Sequence, residues 1–212
     1  MELDKQAHFE KLLEESVAFH GHLCPGQVIG VRMSMLGLHL IDIEDPKGED
    51  RKKLYVIVEI DRCATDAIQS ATGCRLGKRT MGFKDFGIMA ATFVNLETTA
   101  AVRIVAREEA RSLAAQHNVH ILDKREQQLQ AYKSMDDAEL FTIYHVEINL
   151  SETDLPGRPM SRVKCESCGE WVQDNREITD EDVTLCKGCH GHRYYRIIEN
   201  SELNDQNKSS EH

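Results

Sequence analysis

The chain has 212 residues, 41% apolar and 29% charged, with a formal net charge of −10. The apolar share can fill a core, which excludes wholesale disorder, and the length suits one medium domain plus a small module. The acidic balance excludes a general binder of nucleic acid or of anionic membrane, because such a binder needs a positive footprint.

Residues 4–19 read as an amphipathic helix, with Phe9, Leu12, Leu13 and Val17 at helical spacing. FHGHLCPG, residues 19–26, follows as a Gly/Pro break. A helix over about 26–41 is apolar almost all round and so buried. It carries a stripe of small residues, Gly30, Ser34 and Gly37, that another helix of this chain or of a partner could approach. Residues 44–53 read as a polar loop, 54–60 as a strand, 64–72 as a short helix and 73–87 as a glycine-rich ordered loop. Strands over 88–96 and 99–106 form a hairpin. A helix follows at REEARSLAAQ, and another over 124–134 starts at a D-x-x-E signal, Asp123 and Glu126. Residues 139–148 return to strand. Hairpins mixed with helices predict an α+β domain over 1–155. Two of the four prolines fall in 151–160, which marks the boundary to a cysteine-rich module over 160–198. Residues 199–212 read as a disordered tail. No apolar stretch approaches the ~20 residues needed to span a bilayer. The charged N-terminal run does not read as a secretory signal, so the expected location is the cytoplasm, with no membrane partner.

Seven cysteines and ten histidines in a reducing compartment point to metal or thiol chemistry rather than disulfides. Cys165, Cys168, Cys186 and Cys189 are spaced C-x2-C-x17-C-x2-C. Each pair can offer two thiolates from one tight turn, and two turns together make a tetrahedron, so the spacing predicts a structural zinc site with iron as the competing ion. Four thiolates close the coordination sphere. Residues 160–198 hold six Lys/Arg and seven Asp/Glu, which gives no footprint for nucleic acid.

His20, His22 and Cys24 fall within five residues, and residues two apart in extended chain share a side. Cys63 stands between the strand at 54–60 and the next helix, where the helix start favours a thiolate. Cys74 lies in the glycine-rich loop. These residues read either as metal ligands or as buried turn and core residues. Asp61 and Asp66 could orient a histidine. GCRLGKRT is not a phosphate loop, since Gly73 and Gly77 stand too close and Arg79 occupies the Ser/Thr position. Lys78 and Arg79 read as a solvated basic loop or as contacts to an anion.

FHGHLCPGQVIGVRM, DRCATDAIQSATGCRLGKRTM and KDFG resemble the FmdE family, named for a component of formylmethanofuran dehydrogenase. EWV and LCKGCHGHRYYRI resemble the attached finger, similar to those of the DksA/TraR type. The resemblance implies an intertwined homodimer with a His/Cys metal site in a cleft, and a molybdenum- or tungsten-enzyme partner. The expected open site uses His20, His22 and Cys63, with Cys24 and Cys74 as further ligands or redox thiols, and takes zinc, nickel or iron. Lewis-acid catalysis, metal delivery and redox sensing all suit such a site. A non-enzymatic regulatory or assembly module is a different reading. A thiol enzyme with Cys63 as nucleophile and His20 or His22 as base is another.

Overall fold

The computed structural model describes residues 2–198; the tail expected over 199–212 lies outside them. The chain divides into two compact units, one ending at Gly157 and the other beginning at Arg158. Among the described residues, no helix is long and apolar enough to cross a membrane.

The first unit opens with α1 (Glu2–His20) and α2 (Pro25–Leu40), followed by β1 (Leu54–Val58) and α3 (Cys63–Thr72). Then come β2 (Met81–Phe83), β3 (Ala90–Asn95), β4 (Ala101–Ala106), α4 (Glu109–His117), α5 (Lys124–Ser134), α6 (Asp137–Leu140) and β5 (Phe141–His145). The five strands make one sheet in the order β2-β1-β3-β4-β5. β1 and β2 run parallel and the other pairs antiparallel. The chain is thus the mixed helix-and-sheet fold that its alternating patterns predict.

Strand alternation sorts side chains onto two faces. Val56, Val58, Phe93, Val102 and Ile104 point into one buried cluster with Leu12 and Leu13 of α1, Val28 and Val31 of α2 and Ala67 and Ile68 of α3. The opposite face holds Tyr55, Val94 and Ala101, against which Val146, Ile148 and Leu150 pack. The strand expected to reach residue 148 therefore ends at His145, and the chain folds over that face instead. β2 falls inside the stretch expected to be loop. Three residues are too few to show alternation, and pairing with β1, Met81 opposite Val56, is what makes them a strand.

The small-residue stripe of α2 serves the chain's own core. A Cβ at Gly30 would lie 2.6 Å from Ala67 Cβ, and one at Gly37 would strike the Phe93 ring. Asp123 caps α5 by accepting from the Glu126 amide at 2.8 Å, as the D-x-x-E signal predicts.

The second unit contains two short hairpins, Arg162–Lys164 with Trp171–Gln173 and Ile178–Asp180 with Val183–Leu185. Cys165 is the one apolar residue buried in it among the described residues. So small a core does not hold a fold by itself and calls for a staple.

Candidate metal centres

In the first unit, two helix starts and one helix end converge. α1 ends at His20, and Gly21, at φ 97, turns the chain sharply. Cys24 is the N-cap of α2, in extended conformation, and Pro25 opens the helix with its φ already set. Cys63 is the first residue of α3. Gly26 lets the elements close up, since a Cβ there would sit 2.9 Å from Cys63 Cβ. Inside the contact, Gln27 is fully buried. It donates from Nε2 to the Cys63 carbonyl at 2.6 Å and accepts from the Ser16 hydroxyl, tying α1, α2 and α3 together beneath the site.

One donor atom each from His20, Cys24 and Cys63 lies within 4.8 Å of the other two. His20 Nδ1 stands 2.8 Å from Asp66 Oδ2. An ionised carboxylate only accepts, so Nδ1 carries the proton and Nε2 the lone pair. That Nε2 is buried with no hydrogen-bond partner among the described residues. A buried polar atom without a partner is costly, and its residue stands in the group with the two thiols. Two sulfurs and one imidazole suit zinc, iron or nickel, and three donors leave a coordination position open.

Two of the expected residues stand outside the group. His22 is exposed, its ring centroid 4.6 Å from that of His20, and it lies outside the group. Residues two apart share a side in extended chain, but His20 still belongs to the helix and Gly21 turns the backbone before His22. Cys74 is also outside the group. It follows Gly73 at the far end of α3, roughly 14 Å along the helix from Cys63. It is buried in the core, and burial pushes its thiol up. Asp66, and not Asp61, orients the histidine. The Cys63 thiol is also raised, first by burial and then by the Cys24 thiol beside it, which outweighs the helix start expected to favour a thiolate.

In the second unit, the sulfurs of Cys165, Cys168, Cys186 and Cys189 lie within 4.8 Å of one another. Cys165 follows the first strand of one hairpin and Cys186 the last strand of the other. The Gly169 amide donates to the Cys165 carbonyl at 2.9 Å, closing the first turn, and the Cys189 amide donates to Cys186 Sγ at 3.3 Å in the second. Glu166 links the turns, its amide to the Thr184 carbonyl and its carboxylate to the Thr184 amide. The Cys168 and Cys186 amides hold the Cys165 thiol down to about 6. The Glu170 amide acts to lower Cys168, but desolvation and the three neighbouring thiols push it up to about 12. Four thiols sharing one small space cannot all ionise until a cation compensates them. The four-cysteine group could hold a metal as the spacing predicts. Tyr194 is fully exposed and packs no core.

Residues 19–142 match the family described as "FmdE, Molybdenum formylmethanofuran dehydrogenase operon". The match contains His20, Cys24 and Cys63 and ends before the second unit. A protein of Archaeoglobus fulgidus, described as a probable S-adenosyl-L-methionine-binding protein, is 29% identical over 218 aligned positions. The alignment covers 93% of this chain and 57% of that protein, so the chain spans little more than half the length of its curated relative. The fold is shared with the crystal structure of a tungsten formylmethanofuran dehydrogenase FmdE-like protein from Syntrophus aciditrophicus. Its TM-score is 0.60 at 24% identity, covering 89% of this chain and 95% of that one.

Proposed function

Because the chain belongs to the FmdE family, we propose that it is a metal-handling protein of molybdenum- or tungsten-enzyme metabolism. In this reading His20, Cys24 and Cys63 hold a transition metal at an open site. Cys165, Cys168, Cys186 and Cys189 hold a structural zinc in a finger of the DksA/TraR type. The protein works as a homodimer in the cytoplasm, beside a formylmethanofuran dehydrogenase or a related enzyme.

The observation that carries the reading is the His20 ring. Asp66 fixes its tautomer on one side, the other nitrogen is buried and unpartnered, and the residue is grouped with two thiols. Carboxylate–histidine pairs of this kind orient metal-binding imidazoles and raise their basicity. A metal there would supply a Lewis-acid position open to a further ligand. The chain's own part is to orient the imidazole through Asp66 and to fix Cys63 through the buried Gln27. Cobalt substitution tests it. Two-equivalent cobalt protein should show two distinguishable thiolate-to-metal absorptions, one from a four-sulfur site and one from a mixed site that Cys63→Ser abolishes. A single spectrum insensitive to Cys63→Ser would rule the open site out.

A second reading has its own observation in favour. Asp66, His20 and Cys63 are also the orienter, base and nucleophile of a thiol enzyme. The second thiol of Cys24 beside Cys63 weighs toward the metal, since a metal takes both sulfurs whereas a nucleophile needs only one.

A further inference from the structure

The first unit contains a cavity of about 630 Å³ between the C-terminal half of α1, the 46–52 loop and the stretch 69–80 that ends α3. Five cations line it, Lys47, Arg51, Lys52, Arg75 and Lys78, against one carboxylate, Glu15. The chain as a whole has 36 Asp/Glu against 26 Lys/Arg. A larger cavity of about 810 Å³ along α1 and α2 shows what that composition ordinarily gives, with five Lys/Arg and six Asp/Glu in its lining. The smaller cavity is therefore a concentration of positive charge on an acidic protein.

Its single carboxylate is already engaged. Lys47 Nζ lies 2.7 Å from Glu15 Oε2 and holds that carboxyl below its ordinary range. Arg51, Lys52, Arg75 and Lys78 make no ion pair among the described residues. The C-terminal end of α3 offers about half a negative charge at Gly73, which accounts for one neighbouring cation and not for four. The wall is also built. The Cys74 amide donates to Thr72 Oγ1 at 3.1 Å and the Arg75 amide to Thr80 Oγ1 at 3.0 Å, which pins the loop that carries Arg75 and Lys78. Arg79 is directed elsewhere, donating to the Thr153 carbonyl at 2.6 Å. Of the two basic residues that the sequence offers as anion contacts, Lys78 lines the cavity and Arg79 does not. Phe19, half exposed, adds an apolar wall with the Arg75 guanidinium 6.0 Å from its ring centre.

We propose that this cavity binds a phosphate-bearing small molecule, with Arg75 and Lys78 holding the phosphate and Phe19 facing the organic part. The volume falls in the range of small-molecule sites. A phosphate monoester brings close to two negative charges and three acceptor oxygens, matching several cations, whereas a monocarboxylate offsets only one. Arg75 can grip such a group with two parallel N–H donors.

The test uses the full chain and phenyl phosphate as probe, titrated by calorimetry at low salt. The wild type should bind one equivalent saturably, with benzoate clearly weaker. Arg75→Gln/Lys78→Gln should weaken phenyl phosphate by roughly 100-fold, about tenfold for each lost charge-assisted contact. Lys5→Gln/Lys11→Gln removes the same charge from the other cavity and should leave affinity unchanged, as should Cys63→Ser. All substituted side chains of the two double variants are exposed, and circular dichroism checks that they fold. Non-saturable binding, equal binding of benzoate, or equal weakening in both double variants overturns the proposal. Loss of binding in Cys63→Ser would place the anion at the metal group and overturn it too, so its failure is separable from that of the metal reading.

Discussion

His20 and Asp66 are 46 residues apart in sequence and 2.8 Å apart in the fold, joined Nδ1 to Oδ2. The pairing leaves His20 Nε2 as the buried, unpartnered atom. Asp66→Ala frees the ring to change tautomer and orientation. Metal affinity at the first-unit site should fall roughly 10- to 100-fold. The thermal midpoint of the metal-free protein should barely move, since the Asp66 side chain is 41% exposed. Competition titration against a chelator measures the first quantity and calorimetry the second. Unchanged affinity would leave Asp66 as an ordinary surface partner of His20.

Metal uptake at this site should depend on pH in a definite direction. Burial and the Cys24 thiol raise the Cys63 thiol above its ordinary value, so it carries its proton at neutral pH in the metal-free protein. A metal needs the thiolate and must displace that proton. Affinity should therefore increase as pH rises through and above neutrality, by about tenfold per unit for each proton released. It should weaken as pH falls. Titrations in buffers of different ionisation enthalpy count the protons, and a flat profile would contradict thiolate ligation.

Gly37 faces the fully buried Phe93 ring of its own chain. Gly37→Ala should cost roughly 1–3 kcal/mol through overpacking, read by urea unfolding, with no change in sedimenting mass. A change of mass at unchanged stability would mean that the stripe contacts a second copy.

The four-cysteine group should be separable from the rest. Cys168→Ser should remove about one zinc per chain and collapse the amide dispersion of residues after 158, because Cys165 alone is buried there among the described apolar residues. The first unit has its own core and should keep its helical signal. Retention of full zinc content would dismiss the four-sulfur ligand set.

Much of this is legible in the chain. Helical spacing in Phe9, Leu12 and Leu13, the apolar run of α2 and the Asp123/Glu126 start signal each locate a helix, because these are local rules. The paired C-x2-C spacing works for the same reason: each turn carries its own two sulfurs. What local pattern does not carry is pairing across the chain. β2 becomes a strand only beside β1. Residues 147–150 leave the sheet because Tyr55, Val94 and Ala101 offer an apolar face to cover. Asp66 is distinguished from Asp61 only by where α3 places it. Gln27, buried between Ser16 and the Cys63 carbonyl, has no sequence signal beyond a polar residue in an otherwise apolar helix. His22 illustrates the converse. Its spacing from His20 fits extended chain, and one turn at Gly21 removes it from the group.

Metal binding by His20, Cys24 and Cys63, at a site distinct from the four cysteines, is the point on which the proposed function depends. The most direct measurement is elemental metal analysis at matched pH of wild type and a His20→Ala/Cys63→Ala variant, both purified without added metal. The expected result is two metals per chain in the wild type and one in the variant, with the remaining ion lost only when Cys165 and Cys168 are also replaced. Equal metal content in the two proteins would contradict it, leaving His20, Cys24 and Cys63 as packing residues around a helix junction.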